Sequence, residues 1–499
     1  MTARTHVVVV GHGMAGARLV QELRARDPYR RLRITVFAAE RDASYNRVLL
    51  SELLAGRTRV DDIYLTPDGW FDDNEVVVHG GVAVRSVDRW AKKVTADDGT
   101  VVPYDVLVLA TGSLPWLPPI DGLAAEDGTP VDGAVAFRTV EDCRRIIELA
   151  DQADRAVVVG GGLLGLEAAR GLAGRGLDVE VVHPFGHLME RQLDVGAGRV
   201  LARKLRDLGV RTRLGVTVAA LRVTPGERGG ARVQAVELTD GSLVDTTLVV
   251  LACGIRPNVE VARATGLRVE QGVVVDSQLR SVSDRAVFAI GECAQHEGLV
   301  YGLVAPAWEQ AAVVADVVTG VRPDATYAGS AVVTRLKAAG VDLAAMGDPA
   351  GELDDGTDRE VVQFSDAARG TYKKLVIREG RLVGAILLGD CTTAGAVVQL
   401  FDRGGPVPSD PLSLLFAGLD APTTAASPAL MPAATTICRC NNVTKGDIQA
   451  CWLAGADSLT AVGETTRATT GCGTCRDAVA GIVEWLAETA TTACEEVTA

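Results

Sequence analysis

The sequence predicts an α/β chain in four parts: two domains built on parallel sheets, a small α+β domain, and a small helical module near the C-terminus. Two observations support this prediction. A unit of strand, glycine-rich turn, helix and second strand occurs near residue 10 and again near residue 160. Farther along, short alternating strands give way to a stretch rich in Pro, Ala, Ser and Thr, which is followed by two cysteine pairs. A length of 499 residues also exceeds what one core accommodates.

The amino-acid composition limits the classes of protein to which this sequence can belong. Hydrophobic residues make up 47% of the chain and aromatic residues only 4%, which is typical of parallel strands buried on both faces. The formal net charge of −14 argues against a nucleic-acid partner. The first strand begins too early for a signal peptide, and we find no apolar run long enough to span a membrane. We therefore expect a cytoplasmic protein.

The first unit has the pattern of a dinucleotide-binding turn. Residues 6–10 form a predicted buried strand that leads into Gly11-His-Gly13-Met-Ala-Gly16, and a second strand is predicted at residues 33–37. Gly11 permits the tight turn, and Gly13 lets the backbone approach a pyrophosphate. Gly16 allows the helix to pack closely on the strand. In this context the motif strongly indicates a dinucleotide site.

Three further residues belong to this predicted site. Met14 and Ala15 open the helix, whose N-terminus should face the phosphates. Glu40, about twenty-four residues after the last glycine, should hold the ribose hydroxyls. The alternative is that Glu40 is a solvated acid at the end of the strand, because Asp42 lies close to it in sequence.

The unit is repeated in the middle of the chain. Strands are predicted at residues 156–159 and 180–183, on either side of a second glycine-rich turn and its helix. Two such units imply two dinucleotides, and a hydride donor with a flavin is the usual pairing. The candidate residues of the second site are Gly160, Gly162, Leu163, Leu164, Gly165 and Glu167.

Three other apolar strands end in small residues, where a backbone can approach a ligand closely. They are predicted at about residues 104–110, 248–252 and 287–290. The candidate residues that follow them are Thr111, Gly112, Gly254, Gly291 and Glu292.

The C-terminal cysteines form a candidate metal site. Cys438 and Cys440 are separated by one residue, Cys472 and Cys475 by two, and thirty-one residues lie between the pairs. Four thiolates bind either zinc or an iron–sulfur cluster. We favour the cluster, because zinc ribbons usually combine two pairs with two-residue spacing. The remaining six cysteines look isolated, and we interpret them as buried or incidental thiols.

Several motifs resemble known families. Residues 1 to about 325 resemble the two-dinucleotide-domain, glutathione-reductase-like flavoprotein reductases. The segment Ala43-Ser-Tyr45-Asn46-Arg47-Val-Leu-Leu-Ser51, together with residues 188–194, 372–376 and 384–390, resembles the front half of the large subunit of bacterial NADH-dependent assimilatory nitrite reductase. The tail around the four cysteines resembles the [2Fe-2S] module of bacterioferritin-associated ferredoxin.

The resemblance implies cofactors and roles for individual residues. It implies FAD at the first dinucleotide site and NADH at the second, with NADPH possible. It implies a [2Fe-2S] cluster on the four cysteines, Arg47 against the FAD pyrophosphate, Glu292 near the ribityl chain and Glu167 on the nicotinamide side. We expect no catalytic side chain, because the cofactors themselves carry hydride transfer. Charge gives no clear preference for NADH, since His183, Glu190 and Arg191 lie near the relevant strand end.

The resemblance also suggests where the domains divide. The expected parts are residues 1–118 with 258–325 for FAD, 119–257 for NAD(P)H, 326–403 for the small α+β domain, 404–436 for a linker, and 437–490 for the [2Fe-2S] module.

The expected partner is a separate electron acceptor. Nitrite reductase large subunits continue into a sirohaem and [4Fe-4S] half, whereas this sequence ends at Ala499. We therefore expect a protein that resembles the electron-transfer subunit of bacterial assimilatory nitrate reductases and supplies a molybdenum-containing subunit. Alternatives are a component of a split sirohaem nitrite reductase, a general ferredoxin-type reductase, or, in another class, a redox or iron sensor. Intact glycine motifs at both sites argue against the sensor.

Overall fold

The computed structural model describes residues 4–124, 131–225, 231–336, 338, 340–349, 358–416, 431–438, 441, 443–469 and 475–498. The predicted α/β class is confirmed: the chain forms a unit with a mixed sheet, a unit with a parallel sheet, a small antiparallel sheet with a helix, and a small helical module. Among the described residues, no helix combines the length and apolar character that crossing a bilayer requires.

The first unit is a mixed sheet of eight described strands in the order β21-β18-β19-β20-β7-β1-β2-β3. Its N-terminal strands and the small sheet beside it are Thr5–Val10 (β1), Leu32–Ala38 (β2), Val76–Gly80 (β3), Val84–Asp88 (β4), Lys93–Ala96 (β5), Val101–Pro103 (β6), Val106–Leu109 (β7) and Ser113–Pro115 (β8). The helices of this region are Met14–Arg26 (α1), Leu50–Leu54 (α2) and Trp70–Asp73 (α3).

The second unit is a parallel sheet in the order β12-β11-β10-β16-β9, with a three-stranded antiparallel sheet, β13-β14-β15, beside it. Its strands are Ala134–Ala136 (β9), Arg155–Val159 (β10), Asp178–His183 (β11), Val210–Leu214 (β12), Val218–Pro225 (β13), Ala231–Leu238 (β14), Leu243–Asp245 (β15), Leu248–Leu251 (β16) and Ile255–Pro257 (β17). Its helices are Val140–Ala150 (α4), Leu163–Gly174 (α5) and Val195–Asp207 (α6). Helix Glu260–Ala264 (α7) follows β17 and packs in the core of the first unit.

The chain then returns to complete the first sheet. The returning elements are Val273–Val275 (β18), Arg280–Ser281 (β19), Asp284–Ala289 (β20), Ala294–His296 (β21) and Val304–Thr319 (α8). Strand β20 pairs in parallel with β7, and β7 pairs in parallel with β1. These three strands end at one edge of the sheet, where the first glycine turn lies. Strands β8 and β17 pair antiparallel and connect the two units.

The small domain is an antiparallel sheet in the order β22-β23-β26-β25-β24. Its elements are Val333–Leu336 (β22), Leu343–Gly347 (β23), Arg359–Asp366 (β24), Thr371–Arg378 (β25), Arg381–Leu388 (β26) and Ala394–Arg403 (α9). Leu414 and Leu415, inside the predicted linker, are buried against this sheet, and the Leu415 carbonyl accepts from Lys373. Val407 and Phe416, in the same stretch, also pack against this core, and the composition of the stretch did not reveal these contacts.

The described part of the C-terminal module consists of three helices and a short strand pair. Its described elements are Thr436–Cys438 (β27), Val443–Thr444 (β28), Lys445–Leu453 (α10), Leu459–Thr466 (α11) and Arg476–Thr498 (α12). The Thr444 and Asp447 side chains form a capping box at the start of α10. Ile448, Val462, Val479 and Ile482 form its apolar core.

Candidate functional site: two dinucleotide turns and a cysteine module

The first glycine turn depends on close approach of the backbone. Gly11 has φ +105°, and a Cβ there would lie 2.2 Å from the Ala110 carbonyl oxygen. A Cβ at Gly16 would lie 2.1 Å from the Gly11 carbonyl oxygen. At Gly13 the situation differs, because the nearest described atom to a Cβ would be Arg47 Nε at 3.8 Å. Gly11 and Gly16 therefore fix the turn, while Gly13 leaves an opening at the N-terminus of α1 that fits a pyrophosphate.

The second turn has the same geometry. Gly160 has φ +120°, and a Cβ there would lie 2.3 Å from the Ala252 carbonyl oxygen. A Cβ at Gly165 would lie 2.0 Å from the Gly160 carbonyl oxygen. A Cβ at Gly162 would meet no atom of the described residues within 4 Å. The middle glycine again leaves an opening, this time at the N-terminus of α5.

The helix-opening residues lie where the motifs predict. Met14 is the first residue of α1 and is buried, and Ala15 contacts the position that a Cβ at Gly291 would occupy, 3.0 Å away. Leu163 and Leu164 open α5 and are half-buried. The ends of β1 and β20 are thus close together, so Gly291 lies beside the first turn.

Glu40 and Arg47 form an ion pair at the first turn. The second Glu40 carboxylate oxygen accepts from the Tyr45 hydroxyl at 2.6 Å, and Arg47 lies over the Tyr45 ring, 5.0 Å from its centroid. Burial raises the pKa of the Tyr45 hydroxyl above its ordinary value, so it remains a donor. The sequence motifs predict contacts of Glu40 and Arg47 with different parts of FAD, and the structure pairs the two side chains with each other. Tyr45 was not predicted as a site residue, although it lies in the motif that carries Arg47.

A second ion pair lies beside Gly112. The Glu292 carboxylate pairs with Arg138 and accepts from the Ser113 hydroxyl, and Arg138 donates to the same hydroxyl at 2.8 Å. A Cβ at Gly112 would lie 4.0 Å from both Arg138 Nη2 and Glu292 Oε2. Arg138 was missed in the sequence, because it follows no glycine motif and lies 154 residues from its partner.

Backbone contacts hold the strand ends between the two units. The Thr111 hydroxyl donates to the Asn258 carbonyl at 2.6 Å, and the Asn258 N–H donates to the Gly112 carbonyl at 2.8 Å. Gly254, with φ +110°, accepts through its carbonyl from the Trp116 N–H at 2.9 Å. Thr111, Gly112 and Gly254 therefore lie together at the crossing of β8 and β17.

The side chains near the second turn are less charged than those near the first. The Gly161 N–H donates to His183 Nδ1 at 3.0 Å, so His183 Nε2 carries the ring proton and faces the Glu190 carboxylate at 3.0 Å. Burial lowers the pKa of His183 and favours this neutral form. Glu167 lies buried on α5, just after the turn.

Two of the four predicted cluster ligands are described. Cys438 ends β27 and Cys475 precedes α12, and both are buried in the core of the module. The Thr469 N–H donates to Cys475 Sγ at 3.2 Å, a contact that suits a thiolate. Cys440 and Cys472 lie outside the described residues, and within the described part no three metal-ligating side chains converge. Two buried sulfur donors with an N–H directed at one of them fit a sulfur-ligated cluster.

Comparison with known proteins identifies the family. The description "Pyridine nucleotide-disulphide oxidoreductase" matches residues 5–312, which is more than half of the chain. The chain belongs to the pyridine nucleotide-disulphide oxidoreductase family. In addition, the rubredoxin NAD+ reductase C-terminal domain matches residues 333–403, and the BFD-like [2Fe-2S] binding domain matches residues 436–485. The predicted cofactors, FAD, NAD(P)H and a [2Fe-2S] cluster, are confirmed at this level.

Two curated relatives match nearly the whole chain. "Nitrite reductase [NAD(P)H]" of Bacillus subtilis is 36% identical over 96% of this chain and 58% of that protein. "Assimilatory nitrate reductase electron transfer subunit" of the same organism is 33% identical over 97% of this chain and 60% of that protein. The chain thus spans about three fifths of the length of each. Both predicted family resemblances are confirmed.

Solved structures agree on the fold. The ferredoxin reductase for the CYP199A2 system from Rhodopseudomonas palustris has a TM-score of 0.73 and 26% identity, and the match covers 84% of this chain and 98% of that one. The reductase in the covalent putidaredoxin reductase–putidaredoxin complex has a TM-score of 0.73 at 24% identity, covering 84% and 97%. At 24% identity, the match to the putidaredoxin reductase complex shows only that the fold is shared.

Proposed function

We propose that this protein oxidises NADH and passes the electrons, through FAD and a [2Fe-2S] cluster, to a separate catalytic protein, assimilatory nitrate reductase. One observation carries the proposal: the match to the nitrate reductase electron-transfer subunit covers 97% of the chain, so it includes the cysteine module as well as both dinucleotide turns. An oxidoreductase that carries no iron–sulfur cluster would not need the cysteine module.

On the FAD side, the turn at Gly11 and the N-terminus of α1 would hold the pyrophosphate. Each oxygen of Glu40 already accepts one hydrogen bond, from Arg47 or from Tyr45, and a carboxylate oxygen accepts two. Glu40 therefore has capacity for a ribose hydroxyl while its ion pair stays intact. The guanidinium of Arg47 compensates the carboxylate, so that the site does not repel the phosphates.

On the other side of the FAD site, Glu292, Ser113 and Arg138 share one hydrogen-bonded group. A group of this kind is held rigidly, because each member has two partners, and it presents both a donor and an acceptor near Gly112 and Gly291. These features support Glu292 as a residue that orients the flavin. We extend the proposal to Arg138.

On the nucleotide side, Gly160, Gly162 and Gly165 would receive the pyrophosphate of NADH. The Glu190 carboxylate lies at the end of β11 next to His183, where an acid favours a free ribose hydroxyl over a 2′-phosphate. This placement supports NADH rather than NADPH. When bound, FAD accepts a hydride from the nicotinamide, and the cluster accepts electrons one at a time.

The four cysteines Cys438, Cys440, Cys472 and Cys475 would ligate the cluster. A Cys472→Ser variant separates the two halves of the proposal: NADH-to-dye reduction should remain near the wild-type rate, while reduction of the acceptor protein is lost. Cys451→Ala is the matched control, since Cys451 is buried in the same module and was not predicted as a ligand. Equal loss of both activities in the Cys472 variant would contradict the proposal.

A second candidate acceptor is a sirohaem nitrite reductase protein, which the 36% identity to nitrite reductase supports. Reconstitution distinguishes the two. The purified protein, supplied with NADH, should reduce nitrate when the molybdenum-containing protein from the same organism is added. Nitrite reduction with the sirohaem protein alone would replace the first candidate by the second.

A further inference from the structure

Arg467 connects the cysteine module to the rest of the chain. It follows directly after α11, and its own carbonyl accepts a hydrogen bond from Asn441 Nδ2 at 2.5 Å. Asn441 is the neighbour of Cys440 in sequence. Two residues after Arg467, the Thr469 N–H donates to Cys475 Sγ. The Arg467 backbone therefore belongs to the loops that carry the predicted cluster ligands.

The Arg467 side chain contacts the flavin side of the molecule. Its guanidinium donates from Nη1 to the Tyr64 carbonyl and from Nη2 to the Asp62 carbonyl at 3.4 Å, about four hundred residues away in sequence. A planar guanidinium can donate to two acceptors at once, and its attachment to backbone carbonyls does not depend on side chains of the partner segment. Arg467 is half-buried in this contact, and burial lowers the pKa of its guanidinium.

The segment that Arg467 binds supports the wall of the FAD site. The Asn46 N–H donates to the Ile63 carbonyl at 2.7 Å, and the Leu65 N–H donates to the Ser44 carbonyl at 2.8 Å. Tyr45 and Tyr64 also form a β-bridge. Residues 62–65 thus lie along residues 44–46, which lead directly into Arg47. A continuous set of hydrogen bonds runs from the cluster loops, through Arg467, to the Glu40–Tyr45–Arg47 group.

The backbone conformation of Arg467 is the second observation. Its φ is +63°, in the left-handed region, at a helix C-terminus where glycine is the usual residue. A side chain other than glycine in this conformation is uncommon. Such an outlier points to a role for the side chain, and the two carbonyl contacts supply that role.

We propose that Arg467 is a positioning residue that docks the [2Fe-2S] module onto residues 62–64 and so keeps the cluster within electron-transfer reach of the flavin. The effect on electron transfer rests on the proposed function, whereas the docking contact itself does not. Electron transfer needs the two centres close together. Loss of the Arg467 contacts lets the module leave the flavin side.

The test uses the full-length holoprotein and three variants. Arg467→Gly removes the guanidinium and suits the left-handed backbone, so the module is expected to fold normally. Arg467→Lys retains one charged donor, so it should keep part of the wild-type rate of cluster reduction. Glu464→Gln is the matched control, because Glu464 lies exposed on the same helix. Anaerobic mixing with NADH gives the rate of flavin bleaching optically and the rate of cluster reduction by freeze-quench EPR, while X-ray scattering gives the radius of gyration.

In Arg467→Gly we expect unchanged flavin bleaching, an unchanged EPR line shape, cluster reduction slowed by about tenfold or more, and a larger radius of gyration. Wild-type cluster reduction together with a wild-type radius in this variant would overturn the proposal. Reduced iron content with an unchanged radius would also overturn it, because Arg467 would then serve only the fold of the module. If NADH fails to reduce the cluster of the wild-type protein, the proposed function fails, and the radius alone still tests the docking.

Discussion

The two dinucleotide turns have the same backbone and different surroundings. The Arg47–Glu40 ion pair lies beside the opening at Gly13, and the Arg138–Glu292 ion pair lies beside Gly112. At Gly162, by contrast, a Cβ would meet no atom of the described residues within 4 Å. We expect the turn glycines to leave the room that a dinucleotide needs to approach the backbone. We propose that the charged side chains determine how firmly the dinucleotide is held, so we expect FAD to stay bound and NADH to exchange freely.

The largest expected effect concerns the turn glycines themselves. Gly160→Ala combines a positive φ with a Cβ 2.3 Å from a carbonyl oxygen, so the free energy of unfolding should fall by more than about 3 kcal/mol. Gly162→Ala should change it by less than about 1 kcal/mol, because the added methyl group enters open space. The same methyl group should nevertheless raise the KM for NADH. Denaturant unfolding measures the free energy of unfolding, and steady-state kinetics measures the KM for NADH.

Gly174→Ala is the control for this pair, since Gly174 ends α5 at an exposed position away from the opening. A wild-type KM for NADH in Gly162→Ala would contradict the assignment of this turn to the nucleotide.

The next effect is the contribution of His12, at the first turn, to the pH dependence of stability. His12 is buried between Gly11 and Gly13, bonds to the Ser44 hydroxyl at 2.8 Å, and has its pKa lowered by burial to about 4. Because the folded pKa is below the ordinary value of 6.5, the contribution of His12 to stability is complete above about pH 6.5 and is lost as pH falls toward 4. The free energy of unfolding should fall by about 3 kcal/mol over this range.

His12→Gln removes the titrating group, so its unfolding free energy should depend less steeply on pH than that of the wild type. Identical slopes in the two proteins between pH 6.5 and 4 would show that His12 does not titrate as its burial implies.

A smaller effect tests the ion pairs at the first turn. Arg47→Ala leaves the Glu40 carboxylate without its charged partner beside the phosphates of FAD, so FAD should bind about thirtyfold more weakly, equivalent to about 2 kcal/mol. Flavin retained after dialysis measures this change. Arg144→Ala, which removes a nearby surface ion pair with Asp42, should keep its flavin. Equal flavin loss in both variants would mean that the charge at Arg47 is not directed at FAD.

The smallest effect concerns the second turn. Glu190→Gln keeps an acceptor for His183 but removes the charge at the end of β11, so kcat/KM for NADPH should rise about fivefold, or about 1 kcal/mol, with NADH little changed. Arg191→Ala should have the opposite effect and lower kcat/KM for NADPH if this arginine attracts the 2′-phosphate. No change of the NADPH-to-NADH ratio in Glu190→Gln would remove Glu190 as the source of the preference.

The sequence predicts the two glycine turns, but it does not predict the side-chain contacts around them. The glycine motifs can be read locally, because the last glycine of each turn packs against the carbonyl of the first glycine of the same turn. Each first glycine in addition packs against a carbonyl at the end of a neighbouring apolar strand. The pairing of Arg138 with Glu292 and the contact of Arg467 with Tyr64 connect distant parts of the chain. Neither arginine lies in a motif that specifies its partner. Even Glu40 and Arg47, seven residues apart, have no helical or strand spacing that predicts an ion pair.

The central claim is that NADH, the flavin and the cluster form one working chain of electron transfer. The most direct measurement is an EPR spectrum of the purified protein, kept anaerobic, after NADH is added. We predict the rhombic signal of a reduced [2Fe-2S] cluster. A bleached flavin without that signal, in protein that contains its iron and labile sulfide, would contradict the claim.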